Sequence, residues 1–192
     1  NTKNALTGNN SDAESRISSA YATVDVDLLN SIYLGFTGRN DWVTTLPQEN
    51  NSFFYPSVSL SYVASKMFEL PDVISNLRLR GSWAEVSNAD YGGTYSHLQS
   101  YDSGINWQNN ASLTFPGNLI SPNLNPETSS AFEGGLVLGL LDNRLSFDTN
   151  FIFVRNFNNL TNAPISVASG FSSRLINANE YEKRGFELIA RG

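Results

Sequence analysis

Residues 144–155 read RLSFDTNFIFVR, and this stretch decides the fold. One parity carries Leu145, Phe147, Thr149, Phe151 and Phe153, while the other carries Ser146, Asp148 and Asn150. A period of two sends successive side chains to opposite faces, so the segment is a β-strand with one greasy and one polar face.

The same division recurs on both sides of it. In residues 128–140, Phe132, Leu136, Leu138 and Leu140 alternate with Ala131, Glu133, Gly135 and Gly139. Residues 76–86 set Leu77, Leu79 and Trp83 against Arg78, Arg80 and Ser82, and residues 53–64 set Phe54, Val58, Leu60 and Tyr62 against Ser57, Ser59 and Ser61. Residues 31–41 oppose Ile32, Leu34 and Phe36 to Tyr33, Thr37 and Arg39. Residues 18–27 oppose Ala20, Ala22, Val24 and Val26 to Thr23, Asp25 and Asp27. Residues 183–190 complete a set of seven, with Phe186 and Leu188 against Gly185 and Glu187.

Two architectures explain such strands. A soluble sandwich turns the apolar face into a core, as a carbohydrate-binding module of a secreted protein would. An outer-membrane barrel turns it to lipid and lines its lumen with the polar face. Length separates them, because a tilted strand crosses a bilayer in roughly 9 to 11 residues whereas globular strands average about 5 to 6. Most segments here have the longer span. The connections point the same way: residues 28–30 and 141–143 are three-residue turns and residues 65–75 a moderate link, interleaved with residues 42–52, 87–127 and 156–182, which reach about forty residues. Short periplasmic turns and long external loops are the barrel's signature. The predicted fold is therefore all-β, about seven strands of an antiparallel transmembrane barrel, with Leu136, Leu138, Phe147, Phe151 and Phe153 facing lipid. Arg78, Arg80, Glu133 and Asp148 face the lumen, where each arginine is expected to pair with an acid across the wall. Trp42, Tyr55, Trp83, Phe157 and Tyr181, near strand ends, suit interfacial girdles.

Composition excludes several function classes. A net charge of −6 and a pI near 4.7 argue against nucleic acid, whose binders concentrate Lys and Arg. Zero cysteines removes disulfides and thiolate metal sites. No run approaches 18 apolar residues, no signal peptide opens the chain, and no nucleophile elbow, metal-ligand spacing or phosphate loop occurs. No enzyme activity, cofactor or metal is expected. A glycoside hydrolase would need two carboxylates about 5 to 9.5 Å apart in a cleft, and nothing singles out such a pair.

An open barrel edge leaves backbone groups unpaired in lipid, and single-chain barrels generally have an even strand number. Seven strands point to a partial barrel domain over residues 1–192, with further strands beyond it.

Four stretches carry a family resemblance. These are residues 31–42 (SIYLGFTGRNDW) with its Arg39-Asn40-Asp41 sequence, residues 53–68 (FFYPSVSLSYVASKMF) with Tyr55 before Pro56, residues 76–88 (NLRLRGSWAEVSN), and residues 124–145 followed by 169–188 (SGFSSRLINANEYEKRGFEL). In this order they resemble the C-terminal half of the barrel in SusC/RagA-type TonB-dependent transporters. Departures are Trp42 and Ser87 where glycine is usual, Asn179 for another glycine, and Pro126 where an aromatic is common. The resemblance implies an outer-membrane importer of oligosaccharides or peptides, with a barrel of about 22 strands. It also implies a plug domain and TonB box outside this chain, energy from TonB and a SusD-like lipoprotein lid. In the longest loop, Tyr91, Tyr95, His97, Tyr101, Trp107 and Asn109 are the candidate substrate contacts, with Asp102 a further hydroxyl acceptor. Aromatic rings stack on sugar faces and amides bond hydroxyls, although packing between loops is the commoner use of such residues.

Overall fold

A computed structural model describes residues 12–88, 97–106, 108 and 110–192. Its ten strands are β1 (Ile17–Leu28), β2 (Ile32–Val43), β3 (Ser52–Val63), β4 (Ile74–Asn88), β5 (Asp102–Ser103), β6 (Leu113–Thr114), β7 (Asn118–Ile120), β8 (Glu127–Leu140), β9 (Leu145–Pro164) and β10 (Ser173–Arg191). All but β5 and β6 form one sheet of order β1-β2-β3-β4-β8-β9-β10-β7. The seven long strands run antiparallel to one another, an up-and-down wall, and the short β7 adds to β10 in parallel.

Register makes the two faces continuous. One row runs Val26–Leu34–Leu60–Gly81–Gly134–Phe151–Phe186, and the next runs Val24–Phe36–Val58–Trp83–Phe132–Phe153–Arg184. No sheet covers this face: Val24, Phe36, Leu60, Phe132, Phe151 and Phe186 are all exposed. The buried apolar cluster is instead a small one, Val43 and Leu46 with Phe53 against them, near the ends of β2 and β3. A sandwich core is therefore contradicted, since a core face of this size would be the first surface removed from water. Leu136, Leu138, Phe147, Phe151 and Phe153 all lie in these apolar rows.

The apolar band runs from the row of Phe132 and Phe153 to the row of Leu140 and Leu145. Nine or so residues at about 3.4 Å rise and about 40° tilt stand roughly 20–25 Å tall, close to the outer-membrane apolar band of about 25 Å. Above it, the next outward row contains Glu85, Ser130, Arg155 and Glu182, a charged border.

Two expectations change. Residues 156–182 are not one long loop, because β9 and β10 continue as a ladder to Pro164 and Ser173. Connection length then ceases to sort the two ends, residues 64–73 being longer than residues 165–172. Height sorts them instead: β9 and β10 rise about ten residues past the charged border, whereas at the opposite end residues 29–31 and 141–144 turn at once. The second change concerns the girdle. Trp42, Trp83 and Phe157 have outward parity, but Tyr55 and Tyr181 share the polar parity and face inward. Closeness to a strand end does not fix a face; register does.

Tight turns close the lower end. Leu29 and Asn30 both have positive φ (56° and 51°) in the three-residue link between Leu28 and Ile32, which Ser31 N closes by donating to Leu28 O at 3.1 Å. Leu141, Asp142 and Asn143 are likewise at positive φ. Leucine in this region is unusual and strained, so the wall on either side holds it there.

Candidate functional site

The polar rows line the concave side. A concavity of about 530 Å³ spans β1 to β4, β8 and β9, and Asp25, Asp27, Ser59, Arg80, Glu133 and Asn150 contribute to its lining. A single recess can span six neighbouring strands only on the inside of their curve. Arg80 Nη2 lies 2.6 Å from Asp148 Oδ1, with β8 between their strands. Gly135 makes that crossing possible, since a Cβ there would stand 2.5 Å from Arg80 Nε and 2.9 Å from the Thr149 carbonyl. Arg78 Nε donates to Ser61 Oγ at 2.7 Å on the neighbouring strand. Glu133 is an exposed acid of the recess. The expected wall pairing thus forms for Arg80 with Asp148, while Arg78 takes a hydroxyl.

Nearer the external end, a second inward cluster centres on Asp41, only 7% exposed. Arg39 Nε and Nη2 donate to its two oxygens at 2.8 and 3.2 Å, and the Tyr55 hydroxyl donates to Oδ2. Arg39 also reaches Ser19 Oγ at 3.1 Å, and its guanidinium lies 5.7 Å from the Tyr55 ring centre. A carboxylate so nearly buried requires this satisfaction, because an unpaired charge out of water is costly. The cluster joins β1, β2 and β3 just below the buried Val43 and Leu46. Sequence reasoning put Arg39 on a polar face, Tyr55 in a girdle and Asp41 only in a resemblance, and did not bring the three together. The available signal was an Arg-x-Asp on one strand parity with an inward tyrosine on the next strand.

The described residues of the long connection between β4 and β8 meet the other loops at this end. Tyr91, Tyr95, Trp107 and Asn109 lie outside the described residues. His97 Nδ1 sits 2.9 Å from the Thr45 carbonyl. A carbonyl only accepts, so Nδ1 carries the proton. Tyr101 packs edge-on to Phe115, with ring centres 5.2 Å apart, and Phe115 likewise meets Phe171 at 6.1 Å. His97 therefore bonds the β2–β3 connection, whereas Tyr101 packs within its own connection on Phe115, which in turn meets Phe171 at the β9–β10 turn. Asp102 lies on the short β5 strand, which pairs with β6. Among the described residues, no group of three or more His, Cys, Asp or Glu is placed to hold a metal. Among the described residues no helix is long and apolar enough to cross a membrane, which says nothing of strands.

Comparison with known proteins agrees with this geometry. The chain is 26% identical over 91% of its length to TonB-dependent receptor P3 of Formosa agariphila, and 24% identical over 92% to TonB-dependent receptor SusC of Bacteroides thetaiotaomicron. It spans about a fifth of those relatives, 18% and 19% of their lengths. Among solved structures it is similar to the RagAB peptide transporter, with a TM-score of 0.79 and 25% identity over 93% of this chain and 20% of that one. The siderophore receptor PirA from Acinetobacter baumannii shares the fold, with a TM-score of 0.62 and 18% identity over 93% of this chain and 26% of that one. The family described as TonB dependent receptor-like, beta-barrel, matches residues 1–192. With an exposed apolar outer face, a polar concave face and a match over its whole length, the chain belongs to the TonB-dependent receptor β-barrel family.

Proposed function

We propose that residues 1–192 are part of the barrel domain of an importer in the cell outer membrane, forming wall and external rim. The plug domain and TonB box lie elsewhere in the same protein. The carrying observation is the inversion of faces: continuous apolar rows outside and hydrogen-bonding groups inside. That arrangement suits a wall with lipid on one side and polar cargo on the other.

The cargo class is an oligosaccharide or a peptide. Both expose many hydroxyl, amide or carboxylate groups, which the serines, acids and arginines of the inner wall can bond. Support also comes from the similarity to SusC and to a structure whose name is a peptide transporter. The partners are TonB, acting through the plug, and a SusD-like surface lipoprotein at the external mouth. The tall β9–β10 hairpin and exposed loop side chains such as Tyr101, Phe115 and Val167 offer that lipoprotein a surface above the membrane. No catalytic step is assigned to this chain.

The test is a deletion strain grown on limiting oligosaccharides or limiting peptides, with an affinity-tagged copy recovered from membranes. Growth should fail on one class, return with the gene only in a TonB-competent strain, and the tagged protein should bring a surface lipoprotein with it. Unchanged growth on both classes contradicts the import reading.

A further inference from the structure

The return half of the long connection, from Gly117 to β8, is held far more closely than a loop requires. β7 lies parallel to the start of β10, pairing Asn118, Leu119 and Ile120 with Ser173, Arg174 and Leu175. Ser121 N continues the ladder by donating to Leu175 O at 3.1 Å, and Ser172 N donates to Gly117 O at 2.8 Å. Gln99 then bonds β7 through its side-chain amide: Nε2 donates to Asn118 O at 3.1 Å, and Oε1 accepts from Ile120 N at 2.8 Å. A primary amide used in this way reproduces the donor and acceptor pair of a neighbouring strand.

Asn177 does the same farther along. Its Oδ1 accepts from Asn125 N at 2.9 Å, and its Nδ2 donates to Asn125 O at 2.9 Å and to Asn158 O at 2.6 Å. The position is no accident of the surface. The β9–β10 register shifts between Asn177 and Asn179 and again before Tyr181, and Asn158 is at a φ of 58°. A bulge of this kind leaves ladder groups without strand partners, and one amide can serve both the bulge and the returning chain. Leu124, fully buried, sits one residue before this contact, and its carbonyl accepts from Asn50 Nδ2 of the β2–β3 connection at 3.1 Å.

We infer that residues 117–126 are a fixed strap across the external mouth, clasped by the Gln99 and Asn177 side-chain amides, which ties the β2–β3 connection to β10. This rests on reading residues 89–126 as an external loop of an importer, but its test does not depend on cargo. Gln99 and Asn177 are positioning residues that touch no substrate. The strap makes one side of the mouth static, so any opening that admits cargo takes place elsewhere on the rim.

Amide hydrogen exchange on the full protein in outer-membrane lipid tests this, following the Ile120, Ser121 and Asn125 amides. In the unsubstituted protein they should exchange far more slowly than unstructured peptide. Gln99→Ala should accelerate Ile120, and Asn177→Ala should accelerate Asn125, each at least about tenfold, because each removes the side-chain oxygen that accepts from that N–H. Exchange in β8 and in the lower halves of β9 and β10 should stay unchanged. The strap is overturned if these amides exchange at the unstructured rate in the unsubstituted protein, or if either substitution leaves its amide at the original rate. Should a substitution disturb the wall strands too, the unsubstituted rates alone decide. The growth experiment above stands or falls separately.

Discussion

β9 and β10 are one hairpin with two unlike halves. From Ser146 to Phe153, paired with Arg184 to Arg191, the ladder is regular and the outward parity carries Phe147, Phe151, Phe153, Phe186 and Leu188. From Arg155 to Pro164, paired with Ser173 to Glu182, asparagines predominate, the register shifts twice, and side-chain amides carry part of the bonding. The lower half is written for a bilayer, where each backbone group must find its partner within the sheet. The upper half stands in water, where irregular backbone costs less and loops can be bound onto it. The difference teaches that the membrane boundary, not the strand end, divides this protein.

The largest effect should come from charging the lower half. Phe151→Arg, one row above the middle of the apolar band, should destabilise the folded barrel by up to about 2–4 kcal/mol in lipid. Asn150→Arg, one residue away and facing inward, should cost less than about 1 kcal/mol on the same argument. Urea unfolding in vesicles reads both, and equal losses would break the comparison.

Next comes the inner wall. Gly135→Val places side-chain atoms where the Arg80 side chain and the Thr149 carbonyl already stand. We expect a loss of about 1–3 kcal/mol from overpacking, together with separation of Arg80 from Asp148. Asp41→Ala should cost about 1–3 kcal/mol by leaving the Arg39 and Tyr55 donors without their acceptor. Protease cleavage within residues 44–51 should rise in that variant while β8 stays protected.

The smallest effect belongs to the upper half. Arg155 Nε lies 2.5 Å from Glu180 Oε1, but both side chains are about half exposed. Arg155→Gln should therefore change stability far less than the substitutions above, and less still at high salt. A loss as large as that of Phe151→Arg would mean that the apolar band extends higher than the charged border.

These halves also explain what could be read in advance. Wall strands were legible because a bilayer imposes alternation that survives in single residues such as Phe147, Phe151 and Phe153. The ladder from Asn156 to Pro164 was not, since with water on both sides Asn158, Asn159 and Asn162 carry no period and look like loop. Parity placed Arg80 and Asp148 on one face, but their contact depends on Gly135 lying between them, which only register reveals. Tyr55 was misplaced for the same reason. His97 and Tyr101 stood out by residue type alone, and type does not say which loop a side chain will meet.

The central claim is that the apolar rows meet lipid and the polar rows meet the lumen. Because this sequence contains no cysteine, Phe151→Cys and Asn150→Cys can each carry a nitroxide label within it. In outer-membrane lipid, the label at 151 should be relaxed by oxygen dissolved in the bilayer and shielded from a water-soluble nickel chelate. The label at 150 should be shielded from oxygen by comparison. Matching oxygen responses at the two neighbours, or a reversed pair, would contradict the account.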